Sequence, residues 1–226
     1  MTPLVWPCPA PDGSETGEYA LAFDQGRAKR LLILPALFDE ANKLRRLTVE
    51  VMRRLDAAGI DAILPDLPGT GESLADPAAQ TLTGWTAAAL AAVNHFRATH
   101  LLALRGGGLV LPQVAPGWHY APVKGASLLR LMLRARVFAA REAGREETHD
   151  ALLAQGLDEG LELNGYAMGA AMLGELSAAA PPERPGVTVI EHELVGGSPL
   201  WLRAEPDEDR DQADALAAVL AMGLGG

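Results

Sequence analysis

A mainly parallel α/β sheet with helices on both faces is the architecture this sequence predicts, and three observations predict it. Short, largely apolar runs of strand length recur at Arg30–Leu34, Ile60–Leu64 and Leu101–Leu104, as strands covered on both faces should. Between them lie stretches with apolar residues at helical spacing, Leu44, Leu47, Val51 and Leu55 being the clearest set. Strands that alternate with helices require crossover connections, which leave neighbouring strands parallel. The third observation is bulk. A chain of 226 residues, 49% hydrophobic and 21% charged, can bury a sizeable core, and the regular rhythm assigns residues 1–226 to a single domain.

In chain order, Pro3 to Pro11 reads as a proline-rich arm, and Glu18–Phe23 as a weakly alternating edge strand. Arg30–Leu34 is a buried strand that stops at Pro35. A helix then runs from about Phe38–Lys43 to Ala58, closed by Gly59 as a helix C-terminus favours. Ile60–Leu64 is the next strand, Pro65–Ser73 a loop dense in turn residues, and Thr83–Ala98 a helix. Trp118–Val123 is expected as a strand, and Gly125–Arg145 as a long helix with Leu128, Leu131, Met132, Leu133 and Val137. From Glu146 to Ala180 glycines break a helical composition, so two or three shorter helices are expected outside the sheet; this helical excursion spans about 125–180. Val187–Leu194 reads as the last long strand, Pro199–Leu202 as a short one, and Ala213–Met222 as a terminal helix behind the acidic run Glu205–Asp214.

The stretch His100–Val110, HLLALRGGGLV, organises the rest. A buried strand stops at a polar residue and three glycines lead onward, which is how a strand turns sharply into a helix. In α/β-hydrolases that turn carries the nucleophile within Gly-x-Ser-x-Gly, where small neighbours tolerate a strained backbone. Here the five residues are Ala103-Leu104-Arg105-Gly106-Gly107. Arg105 holds the nucleophile's place, and a guanidinium, protonated at any ordinary pH, does not attack a carbonyl.

Four segments, Leu31–Arg46, Asp66–Ser73, Ala103–Gly107 and Ala121–Gly125 with Leu133–Arg134, resemble the exosortase-associated hydrolases of the second type. These are a branch of the α/β-hydrolase superfamily that accompanies bacterial exopolysaccharide and envelope-sorting genes. The similarity covers about Lys29 to Trp201, and its most specific parts are Glu-x-Asn-Lys-x-Arg-Arg from Glu40 and the Gly-rich loop after Asp66. It implies an α/β-hydrolase-like sheet, the carboxylates Asp39 and Glu40 ahead of Asn42 and Lys43, and Arg rather than Ser at the elbow.

Ligands of open α/β sheets bind outside the carboxyl ends of the strands. The side chains expected to gather there are Asp39, Glu40, Asn42, Lys43, Asp66, Arg105, Lys124 and Trp201. Arg105 has two readings: a structural ion pair that fills the nucleophile site, or a group that, with the amides of its helix start, holds a carboxylate or phosphate. Asp39 and Glu40 suit a helix N-terminus on dipole grounds alone. Trp201 reads as core or as cleft wall, while Trp85 reads as core. Asp66-Leu-Pro-Gly-Thr-Gly lacks the Gly-Lys-Ser/Thr ending of a phosphate loop, which argues against nucleotides.

A displaced catalytic triad finds no support in the pattern. The usual order ends with a histidine after the final strand, whereas His192 is expected inside a strand, His95 and His149 in helices, and His100 and His119 at or near strand starts. Ser127 and Ser198 each lack a small residue two places on, and Ser73, although Gly71 and Ala75 flank it, lies in a Gly-rich loop where a serine reads as a turn or cap residue. No spacing suggests a metal, and no cofactor is expected. The net charge of −10 opposes nucleic acid. One cysteine, Cys8, rules out an internal disulfide. No stretch suggests a signal peptide or a transmembrane segment, so the cytoplasm is the expected address. The preferred expectation is a protein without serine-hydrolase chemistry that binds a small anionic or acyl ligand, or a partner, in envelope polysaccharide metabolism. The alternatives are a hydrolase using Glu40 or Asp66 with Arg105 stabilising an oxyanion, and a scaffold held in a protein complex.

Overall fold

A computed structural model describes residues 1–10 and 13–225. Nine strands and seven α-helices are described: β1 Thr2–Pro9, β2 Glu15–Phe23, β3 Arg30–Leu34, α1 Asp39–Ala57, β4 Asp61–Pro65, α2 Leu82–His95, β5 His100–Leu104, β6 Gly117–Tyr120, α3 Gly125–Glu142, α4 His149–Glu159, β7 Leu161–Leu163, β8 Tyr166–Met168, α5 Ala170–Ala178, β9 Val187–Ile190, α6 His192–Val195 and α7 Arg210–Gly225. A seven-stranded sheet runs in the order β1-β2-β4-β3-β5-β6-β9. β1 and β2 are antiparallel, and so are β2 and β4; the pairs from β4 to β9 are parallel. β3 and β5 sit side by side while their following connections depart to opposite sides, which makes their carboxyl ends the switch point of the sheet.

Both faces are covered. One core joins Leu31, Ile33 and Leu102 to α1 and α7 through Leu44, Val51, Leu55, Leu216 and Leu220. The other joins Leu32, Leu34 and Leu101 to α2, α3 and α5 through Trp85, Ala89, Leu128 and Leu176. The alternation of side chains along β3 feeds both cores, so a continuous apolar run is what such a strand needs. α1 ends in a Schellman arrangement: the Gly59 N–H donates to the Asp56 carbonyl at 3.0 Å and the Ile60 N–H to the Leu55 carbonyl at 2.9 Å, with Gly59 at φ 79°.

Several expectations are corrected. The proline-rich arm is β1, the edge strand, so β2 is interior; Pro11 lies outside the described residues. Pro3, Pro7 and Pro9 share one parity, so their missing N–H groups fall on one side of the strand, and an edge has a side that needs no donor. The expected shorter helices between 146 and 180 are two, α4 and α5, with the β7–β8 hairpin between them. Its turn is Asn164-Gly165, both at positive φ, as a tight hairpin favours. The last strand stops at Ile190, and the short strand expected at 199–202 is a 3₁₀ turn, Leu200–Leu202. No described helix is long and apolar enough to cross a membrane.

Cys8 is fully buried, and burial, reinforced by Glu18, pushes its thiol up to about 12; such a thiol stays protonated and unreactive. At the amino ends of the strands, Arg30 donates to both oxygens of Asp24, at 2.9 and 2.7 Å, and to buried Asp61 at 2.9 Å. The Arg30 hydrogen bond, helped by the Gly26 N–H, holds the Asp24 carboxyl down to about 2 from its ordinary 3.8. A depressed carboxyl stabilises the fold above its unfolded pKa and loses that contribution as pH falls through the folded one. Thermal melts from pH 5 to pH 2 should therefore show the wild type losing its advantage over Asp24→Asn between about pH 4 and pH 2. Parallel curves across that window would show that the pair contributes nothing.

Candidate functional site

The site is built on three strand ends. Phe38 after β3, Arg105 after β5 and Ala121 after β6 carry φ of 56°, 51° and 46°, although none is glycine. Non-glycine residues hold this conformation only where surrounding contacts over-determine it, and such residues cluster at functional centres. Around Arg105 the contacts are explicit. Its Nε donates to Glu40 Oε2 at 3.0 Å and its Nη2 to Glu40 Oε1 at 2.9 Å, a bidentate pair. Its Nη1 donates to the Ala121 carbonyl at 2.9 Å, and the guanidinium lies over the Trp201 ring, 4.2 Å from the centroid. The side chains of Arg105 and Glu40 are only 13% and 5% exposed. Glu40, in the first turn of α1, also sits where a helix N-terminus favours a negative charge.

Space above the turn is filled with hydrocarbon. A methyl group built on Gly106 would stand 2.8 Å from Leu128 Cδ1 and 3.1 Å from Leu37 Cγ. Beneath it, His119 Nε2 is 2.8 Å from the Arg105 carbonyl; a carbonyl only accepts, so Nε2 carries the proton. Burial lowers the His119 pKa, which keeps the ring neutral.

The eight expected residues do not form one cluster. Arg105, Glu40 and Trp201 come together. Asp39, also in the first turn of α1, pairs instead with Lys43 one turn on, at 2.7 Å. Asp66, after β4, accepts from the Glu72 N–H at 2.9 Å and loosely from Arg45 at 3.4 Å. Asn42 is exposed beside it, and Lys124 is exposed just ahead of α3.

Two residues escape the sequence reading. His192, expected inside a strand, opens α6 beyond the end of β9, and its Nδ1 lies 2.7 Å from the Tyr120 hydroxyl. Its Nε2 is 3.1 Å from the Gly197 carbonyl and must donate there, so Nδ1 accepts from tyrosine. Burial raises the Tyr120 pKa, so the hydroxyl keeps its proton to donate. His192 also packs edge-on against Trp201, with centroids 4.9 Å apart. The late imidazole thus exists, bound to a tyrosine. His119 likewise lies near the carboxyl end of β6, not at its start.

The architecture has relatives among solved structures. Mouse alpha/beta hydrolase domain-containing protein 10 superposes with a TM-score of 0.59 at 11% identity, over 100% of this chain and 99% of that one. The esterase domain of a Rhodothermus marinus protein gives 0.57 at 12% identity, over 99% and 98%. The bottromycin epimerase BotH, in complex with bottromycin A2, gives 0.54 at 16% identity, over 98% of each. This is the α/β-hydrolase fold. No family model and no curated protein sequence matches the chain.

On the hydrolase fold, the carboxyl ends of the strands also frame a cavity of about 310 Å³ between α1 and the loops after β3 and β4. Phe38, Trp85 and Tyr166 supply its aromatic walls, and Asn42, Arg45, Asp66 and Glu72 are among its polar groups. A second hollow of about 180 Å³ lies over Asp39, Glu40 and Lys43, against Leu131 and Met132 of α3. Arg105 lines neither.

Proposed function

We infer that this chain uses the α/β-hydrolase fold to bind a small ligand rather than to form an acyl-enzyme. The observation that carries the reading is the Arg105–Glu40 pair, standing where this fold presents its attacking oxygen. A nucleophile needs a deprotonable group with a base in reach; here the turn offers a permanently protonated guanidinium, three of whose five N–H donors are engaged by Glu40 and the Ala121 carbonyl. The same pair bears on ligand charge. Because Glu40 neutralises Arg105, the guanidinium is poorly placed to attract an anion, so the anionic ligand class loses its support at the elbow and the charge preference of the cleft falls to its other groups. The leucines packed against Gly106 support the reading, since Leu37 and Leu128 crowd the turn on the side a Cβ would take.

On this reading the whole chain acts as one unit in the cytoplasm, with residues 125–180 over the cleft. The resemblance to exosortase-associated hydrolases supports a role in envelope polysaccharide metabolism. A panel of aryl esters, thioesters and amides is expected to show no turnover above the uncatalysed rate. Turnover that disappears on substituting one serine would overturn the proposal. Turnover that survives every serine substitution but is lost in a folded Glu40→Gln or Asp66→Asn protein would instead establish carboxylate-based hydrolysis.

A further inference from the structure

We propose that the cavity between α1 and the loop after β4 is a site for an organic cation, an ammonium group carried on an apolar body. The assignment rests on the binding reading above and names the ligand chemistry of its cleft. Asp66 is its centre. The carboxylate is buried and lines the cavity, yet among the described residues it accepts only the Glu72 N–H at 2.9 Å and one long contact from Arg45 at 3.4 Å. A carboxylate has about four lone-pair directions, and a buried one short of donors gains from any that arrives. Oδ1 is the oxygen with room, since Oδ2 holds the loop.

The walls point to the same chemistry. Phe38 packs on Trp85 with centroids 5.8 Å apart and on Tyr166 at 5.7 Å, and all three line the cavity. Aromatic walls beside a carboxylate are how proteins recognise ammonium groups, through the ring quadrupole and the charge together. The polar groups lean the same way: Asp66 and Glu72 carry two negative charges against the single positive charge of Arg45. Arg45 is 44% exposed on its side chain, so it can swing outward and leave Asp66 to the ligand. The net charge of −10 adds a long-range attraction for cations. A volume of about 310 Å³ is at the small end of ligand pockets, enough for a phenylalkylamine.

The test uses three molecules that share one body and differ in head group: 3-phenylpropylamine, 3-phenylpropan-1-ol and 3-phenylpropanoate. Binding to the full chain is followed by titration calorimetry and ligand-detected NMR at pH 7. The amine is expected to bind at least about tenfold more tightly than the alcohol, the scale of a charge-assisted hydrogen bond, and the carboxylate more weakly than either. Asp66→Asn should abolish the preference, because an amide oxygen still accepts the Glu72 N–H while the charge is gone. Should that variant fail to fold, Arg45→Ala, at a half-exposed position, keeps the question open to test: it should tighten the amine, since a competing cation is removed. Equal binding of amine and alcohol, tightest binding of the carboxylate, no binding of any of the three, or amine binding that Arg45→Ala leaves unchanged or weakens would overturn the proposal. Such a result with a silent ester panel sinks the cavity assignment alone. Ester turnover sinks the binding reading and leaves an amine preference intact.

Discussion

Arg105→Ala should destabilise the protein by about 3–5 kcal/mol, the cost of leaving one member of a buried ion pair without its partner. The size follows from the environment of Glu40, whose side chain is 5% exposed and whose two oxygens both face the guanidinium. Two further contacts go with the side chain: the hydrogen bond to the Ala121 carbonyl and the stacking on Trp201. One gain runs the other way. At φ 51° arginine holds a backbone conformation that glycine adopts freely, so Arg105→Gly is expected to lose slightly less than Arg105→Ala. Urea denaturation of both variants measures this. A loss below about 1 kcal/mol in Arg105→Ala would place the pair among surface ion pairs and not buried ones.

Gly107→Ala should cost at least as much as ordinary overpacking, about 3 kcal/mol or more, because what it meets is main chain. A Cβ there would stand 2.4 Å from the Pro35 carbonyl oxygen and 2.8 Å from that of Leu34. No rotamer relieves that contact; the turn after β5 must lift off the exit of β3, which would also pull Arg105 away from Glu40. A second glycine provides the contrast. Gly174 lies inside α5, and its added Cβ would be 3.9 Å from the nearest atom, Leu157 Cδ2. Gly174→Ala is therefore expected to stabilise by about 0.5–1 kcal/mol through helix entropy. Chemical denaturation of the two variants should move in opposite directions, and a Gly107→Ala protein as stable as wild type would contradict the close approach.

These two positions also show what a sequence exposes. The run of small residues around Arg105 is a local signal with a local cause, a backbone crowded against the neighbouring strand, so the turn is legible from the residues alone. The carboxylates that meet it are legible too, because residues just past a strand end must gather at the switch point. Which carboxylate pairs is not: Asp39 and Glu40 are adjacent in sequence, and only the angular position on α1 sends Glu40 inward and Asp39 to Lys43. Trp201 and His192 depend on a 3₁₀ turn and a four-residue helix after the last strands. Such short elements have no periodicity to read, and the alternation of Val187–Ile190 continues in the letters through His192 although the chain has already turned. The hairpin at 161–168 is a different case. Asn164-Gly165 between apolar residues is a strong turn signal, but it is outweighed in a segment whose surrounding composition is helical.

The Arg105–Glu40 pairing is measured most directly by a double-mutant cycle with Arg105→Met, Glu40→Leu and the double variant, each unfolded in urea. Both single variants should lose about 3–5 kcal/mol, and the double variant should recover most of that loss, since two apolar side chains replace a buried pair at little net cost. Losses that simply add, with no coupling between the positions, would contradict the view that each of these charges exists at the elbow to neutralise the other.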